Sequence, residues 1–218
     1  WVCEFHRFNW LRDIKAVCTG QARLQAREMI SNWIDNFDRW QDVIWRPDVL
    51  GARLSNWIGA FSFYGLSADE EFQAKVRLSI ARQTKHLARV ITDGQVDSVQ
   101  SFAALKGLIY AMIAIGSPKK QLEHPFDLVL EQIKKQILVD GGHISRSPVV
   151  LSQVLMILID LRTVLNLAKL PVPEQIQFAI DKMVPALRFF RYSDGNLAHF
   201  NGGYEWDPNL INCILNFL

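Results

Sequence analysis

The sequence predicts an all-α protein, and three observations predict it. Apolar residues recur at helical spacing in segment after segment, strand-like alternation is found nowhere at useful length, and short breaks containing Gly, Pro or Asp separate the periodic segments. Helices joined by breaks this short pack as antiparallel neighbours.

Phe8, Leu11, Ile14 and Ala16 predict a first helix from about Glu4 to Val17. Ala26, Ile30, Trp33, Ile34 and Phe37 form one apolar face of a second, bounded by Thr19-Gly20 before it and Asn36 to Asp38 after it. Pro47 suits the first turn of a third helix, whose inner face carries Leu50, Leu54, Trp57, Ile58 and Phe61. Ser67-Ala68-Asp69-Glu70 reads as an N-cap with acidic residues in the first turn, where free amides and the helix dipole favour negative charge. It opens a long helix to about Thr92, apolar at Phe72, Val76, Ile80, Leu87 and Val90 and ended by Asp93-Gly94. Four more helices follow, Val99 to Ile115, Phe126 to Leu138, Pro148 to Leu167 and Pro173 to Arg191. Gly116-Ser117-Pro118, Asp140-Gly141-Gly142 and Leu170-Pro171-Val172-Pro173 punctuate them. A hairpin period of about forty residues fits an α/α toroid or solenoid, although no residue-level repeat is visible.

Composition sets the remaining bounds. A chain of 218 residues, 50% hydrophobic and 21% charged, is too apolar for disorder and long enough for one sizeable core or two small ones. A net charge of +2 gives no argument for nucleic acid. Cys3, Cys18 and Cys213 are too few and too scattered for a disulfide framework, and without a CxxC pair there is no zinc signature. The apolar stretch Val149 to Ile159 is broken by Ser152 and Gln153 and is shorter than the ~20 residues that cross a bilayer, so no membrane span is expected. The chain starts at Trp1 with no leader and ends in the uncapped apolar run Ile211 to Leu218; we expect one domain, residues 1–218, cut from a longer protein.

Three segments carry candidate chemistry. Asp140 to Ser147 joins two glycines to His143 and Arg146 in a loop before a helix; it is either a site in which Arg146 holds a carboxylate, or a plain helix junction with His143 on the surface. Lys75, Arg82, His86 and Arg89 fall on one stripe of the long helix at ~100° per residue, either a polyanion-binding stripe or a solvated face. Tyr192, Asp194, His199, Asn201 and Tyr204 crowd a glycine-rich segment that suits a sugar site or a structured linker. Of seven tryptophans, Trp33 and Trp57 lie on apolar faces and belong to the core, while Trp10, Trp40, Trp45 and Trp206 are undecided between core and sugar stacking. There is no nucleophile elbow, phosphate loop, metal-ligand cluster or nucleic-acid motif.

Taken in order, Trp10-Leu11-Arg12-Asp13, Trp45-Arg46-Pro47-Asp48, Ala81-Arg82-Gln83-Thr84-Lys85-His86-Leu87, Asp140 to Pro148, Pro185 to Arg191, and Asp194-Gly195 with Phe200-Asn201-Gly202-Gly203 resemble the bacterial heparinase II/III-like family of polysaccharide lyases. The resemblance covers the whole chain and implies an incomplete α/α toroid, as in alginate and chondroitin AC lyases, followed in the full-length protein by a C-terminal β-sandwich domain. It implies β-elimination on a uronate-containing acidic polysaccharide, without metal or cofactor, in the periplasm or cell envelope, with the cytoplasm left open. Such chemistry neutralises the uronate carboxylate, removes the adjacent proton and protonates the leaving oxygen. On this reading His143 and Tyr204 move protons, and Arg146, Arg82, Asn201 and His86 bind the polyanion.

The family places a tyrosine-histidine pair just after its DG-x-x-x-x-R-S-P segment, where this chain has Val149-Val150-Leu151 following Pro148, and an asparagine-histidine pair about where Asp97-Ser98 stands. These departures support an alternative, a non-catalytic helical module for glycan binding or assembly that kept the fold.

Overall fold

The computed structural model describes residues 1–92, 100–204 and 208–216. The regular elements among them are α1 (Val2–Arg7), α2 (Leu11–Val17), α3 (Gly20–Phe37), α4 (Pro47–Tyr64), α5 (Glu70–Thr92), α6 (Gln100–Ala114), α7 (Lys119–Gln136), α8 (Pro148–Leu167), α9 (Glu174–Phe189) and α10 (Pro208–Asn216). The all-α class expected from periodicity is the class observed. No strand occurs among the described residues, where β pairing is confined to two isolated bridges, Ile137 with His143 and Arg191 with Leu197. The expected features at Asp93-Gly94, Asp97-Ser98, Val99, Trp206 and Phe217-Leu218 lie outside the described residues.

The chain divides into two compact units, residues 1–125 and 126–218. In the first, α4 is buried on nearly all sides, as its apolar composition requires. Its partner α6 comes so close that backbone meets backbone. A Cβ on Gly107 would lie 2.1 Å from the Gly51 carbonyl oxygen, and one on Gly51 would lie 2.4 Å from the Ala103 carbonyl oxygen. Only hydrogen fits at either position.

Against α4 packs an aromatic cluster from three other elements. The Trp33 and Trp57 rings meet edge to face at 5.3 Å, and Phe8 meets Trp57 at 5.2 Å. This cluster corrects the first expected helix. The stretch Glu4 to Val17 is two short helices, because Phe8 takes a left-handed backbone (φ 60°) that folds its ring inward against Trp10, Trp33 and Trp57. The expected cap of α5 is also corrected. Asp69 caps the helix, accepting the Phe72 amide at 2.7 Å, whereas the Ser67 hydroxyl accepts a hydrogen bond from Arg27.

A buried charge lies in this apolar setting. Arg53 of α4 is fully buried, with its guanidinium 4.2 Å from the Trp33 ring. Its Nε donates to Gln83 Oε1 at 2.8 Å, and Nη1 donates to the carbonyls of His6 (3.0 Å) and Ile44 (3.2 Å). Burial pushes the guanidinium down to about 9, which leaves it charged at neutral pH. The chain of contacts continues outward: Gln83 Nε2 donates to Ser79 Oγ, and Ser79 donates to Asp38 Oδ1 at 2.6 Å.

The second unit contains most of α7 and is built on α8, which packs on α9 and α10. Helix α7 begins at Lys119, well before the expected Phe126, and holds Pro125 inside it. The early start is anchored by the Gln121 amide donating to the Pro118 carbonyl at 2.9 Å. By length and apolarity α8 alone among the described helices would cross a bilayer, but 61% of its apolar window is buried within the fold, as in a core helix. Residues 211–216 of the terminal run belong to α10, which buries Ile211, Ile214 and Leu215.

Two outcomes follow for stability. Gly107→Ala forces a methyl into backbone and is expected to destabilise the protein by about 3 kcal/mol, seen as a lowered urea midpoint. Arg53→Met leaves the Gln83 oxygen and two carbonyls without their donor; a loss of at least about 3 kcal/mol is expected in the same measurement. An unchanged midpoint in Arg53→Met would remove the network from the stabilising interactions.

Candidate functional site

In the first unit the long helix α5 places Arg82, Lys85, His86 and Arg89 on one face, at the three- and four-residue steps that align side chains along a helix. With Asp38, Arg39, Trp40 and Trp45 they line a recess of about 630 Å³. Arg82 is fixed by contact with Asp38, whose other oxygen is held by Ser79, so the buried network described above ends at the wall of the recess. No ion pair engages Arg39, Lys85 or Arg89 among the described residues, so the recess keeps a positive excess.

His86 presents its ring to Trp45 at 5.0 Å. Burial, with the Arg89 charge adding to it, holds its imidazole below the usual histidine range, so it is neutral near pH 7. Lys75, expected on the same stripe, is committed elsewhere: its ammonium binds Asp35 (2.7 Å) and Ser31 (2.7 Å). The undecided tryptophans separate, with Trp45 buried and Trp40 66% exposed at the recess. Arginines, a lysine and one exposed indole suit an anionic ligand with a flat face.

The second unit holds His143, Arg146, Asn201 and Tyr204. His143 is not a surface residue but only 2% exposed. Its Nδ1 accepts the Ser145 amide at 3.0 Å, which requires that nitrogen to be unprotonated, so the ring proton sits on Nε2 and is donated to Gln136 Oε1 at 3.0 Å. Burial lowers its affinity for a second proton. Both ring nitrogens are thus engaged inside the fold.

Arg146 is exposed, and its guanidinium donates to Asp140 at 2.6 Å. That bond, with the Gly142 amide on the other oxygen, holds the Asp140 carboxyl below the usual carboxylate range. Asn201 is drawn to the same loop, where its Nδ2 donates to the Arg146 carbonyl at 3.1 Å. Tyr204 is 52% exposed and its hydroxyl accepts from Gln153 at 3.1 Å. The structure therefore joins Asn201, Arg146 and Asp140, and buries His143 beneath them in a hydrogen-bonded loop.

One feature escaped sequence reasoning. The turn that carries this loop occurs twice. In the first copy Ile137 bridges His143; in the second Arg191 bridges Leu197. Each has Asp then Gly at its apex, with the glycine at positive φ (Gly141 80°, Gly195 91°), and in each the Asp carboxylate accepts the second following amide, Gly142 or Asn196, at 2.9 Å. The Leu138 amide bonds to Gly142 O at 2.8 Å as the Tyr192 amide bonds to Asn196 O at 2.9 Å. The signal was present in two of the three Asp-Gly pairs of the sequence, Asp140-Gly141 and Asp194-Gly195.

No family model matches the chain. Over 213 residues, 97% of its length, the chain is 32% identical to FtsZ-localized protein C of Caulobacter vibrioides (strain NA1000 / CB15N), and it spans 36% of that relative, about a third. Among solved structures, heparinase III superposes with a TM-score of 0.78 at 16% identity, covering 94% of this chain and 34% of that one. The heparan sulfate lyase HepC mutant from Pedobacter heparinus superposes with a TM-score of 0.67 at 21% identity, covering 93% of this chain and 34% of that one. At these identities the likeness is one of fold: the chain has the all-α fold of the helical toroid domain of heparinase III.

Proposed function

We propose that this chain is a helical domain of a protein that localises with FtsZ, and that it serves there by binding rather than as a lyase. The observation that carries the reading is the 32% identity to FtsZ-localized protein C over 97% of the chain. The local chemistry supports the non-catalytic part. A lyase needs a base free to reach the proton beside a uronate carboxylate, yet His143 has both nitrogens engaged within the fold. Arg146 is already paired with Asp140, and Val149-Val150-Leu151 puts hydrocarbon where a proton-carrying side chain is required. A place beside FtsZ replaces the periplasm or cell envelope expected from the lyase resemblance, which no comparison supports. A β-sandwich following this chain remains part of the proposal.

A second reading, acidic-polysaccharide binding with or without β-elimination, draws support from the heparinase fold and from the positive recess at Arg39, Lys85 and Arg89. On it, Arg82 and His86 would meet the polyanion, Arg146 and Asn201 would hold uronate, and Tyr204, whose hydroxyl accepts from Gln153, would be the remaining proton carrier of the second unit.

A fluorescent fusion of the full-length protein, imaged in its own cells beside labelled FtsZ, is expected to coincide with FtsZ and to disperse when FtsZ is depleted; a distribution indifferent to FtsZ would overturn the first reading. The purified full-length protein is expected to give no unsaturated-uronate absorbance from heparan sulfate or alginate. Product formation would overturn the non-catalytic part and restore the lyase reading.

The buried state of His143 also predicts a pH dependence. Its folded affinity for protons lies below that of the unfolded chain, so its stabilising contribution is present above the ordinary histidine value of about 6.5 and is lost as pH falls through and below it. The stability gap between wild type and His143→Gln, measured by urea unfolding, is therefore expected to shrink between neutral and mildly acidic pH. A gap that stays constant would mean that His143 titrates alike in both states.

A further inference from the structure

The first unit carries a second concavity, separate from the positive recess and larger, at about 820 Å³. Helices α4, α5 and α6 form it. Phe61 and Ile58 stand on one side and Ile115 on another, with Leu78 between the small side chains Ala74 and Ala81 of α5. Leu78 is 67% exposed and Ile115 49% exposed. Of its lining residues, Arg77 alone is charged. The Arg77 guanidinium donates to Gln73 at 3.2 Å, and no carboxylate pairs with it among the described residues.

Alanines flanking an exposed leucine leave room beside it for the apolar side chains of a docking helix. An apolar cleft bordered by one unmatched cation selects its occupant by charge as well as by area. We propose that this groove receives an amphipathic helix of a partner protein, whose apolar face seats on Leu78, Phe61 and Ile115 and whose carboxylate pairs with Arg77. The inference does not depend on which partner the full-length protein meets in the cell, nor on the positive recess.

The test uses the full-length protein and a fluorescein-labelled synthetic helical peptide with leucines on one face and a glutamate at its edge, beside a matched peptide carrying lysine at that place. Anisotropy titration is expected to show saturable binding of the glutamate peptide, tighter than the lysine peptide by roughly fivefold, the scale of an exposed ion pair. Arg77→Glu is expected to invert that preference. Leu78→Asp, a change at an exposed position that keeps the urea midpoint, is expected to abolish binding of both peptides, and Ile115→Asp, in the turn after α6, gives the same loss. Absence of saturable binding to the glutamate peptide overturns the proposal, as does a preference unmoved by Arg77→Glu or binding that survives both aspartate variants. Self-association abolished by Leu78→Asp would overturn it too, by giving the groove to a second copy of the chain.

Discussion

The arrangement of the first unit depends on a charge that it cannot expel. Arg53 sits in the middle of α4 with apolar residues on every side, and a bare cation there would cost far more than the net stability of a domain. It is accommodated because elements distant in sequence bring it acceptors: the ends of carbonyl groups at His6 and Ile44, the amide of Gln83, and the face of Trp33. The helices α1, α3, α4 and α5 are thereby held in one register, since a shift of any of them leaves an acceptor without its donor. Phe8 turns back into the same region for the same reason of enclosure. Its ring packs on Trp57 and on Trp33, the ring that faces the cation.

That interior constraint reaches the surface. Gln83 passes the hydrogen bonding to Ser79 and then to Asp38, and Asp38 holds Arg82. One cation of the recess is therefore structural, set by the core, while Arg39, Lys85 and Arg89 supply the charge free to meet a ligand. The division explains why a stripe legible in the sequence as four equivalent basic positions is not one functional unit: Lys75 and Arg82 tie helices together, and His86 packs against Trp45 as a neutral ring.

How much was legible follows from what each signal measures. Apolar periodicity reports burial, so Ala26, Ile30 and Trp33 of α3 and Leu50, Leu54 and Trp57 of α4 were read as core, and α8 was read with its observed bounds, whereas Ile58 and Phe61, expected on the inner face of α4, line the open groove. Periodicity is blind to a chain reversal that leaves both flanks apolar, which is why the break at Phe8 was not seen. The start of α7 was placed too late, at Phe126, because the polar stretch from Lys119 to Pro125 shows no apolar periodicity, although the helix runs through it. At the candidate site, the Asp-Gly and Ser-Pro punctuation located the loop correctly. The inward turn of His143 was not legible, because it depends on Gln136, a residue on the preceding helix whose polar character gave no hint of burial.

The twice-used turn ties these observations to function. Its Asp-Gly apex exists to reverse the chain after a helix: the glycine supplies a positive φ, and the aspartate quiets a free amide. At Gly141 the backbone also lies so near Lys182 that a Cβ would fall 2.0 Å from its carbonyl oxygen, so packing alone demands glycine there. Such a turn is needed wherever the helical scaffold is kept, whether or not a sugar is ever cleaved. Arg146, paired with Asp140 and with its carbonyl bonded by Asn201, contributes to that turn as well. Function is better sought in groups that the fold does not itself consume, and among the described residues these include the recess cations without an ion pair and the apolar groove beside Arg77.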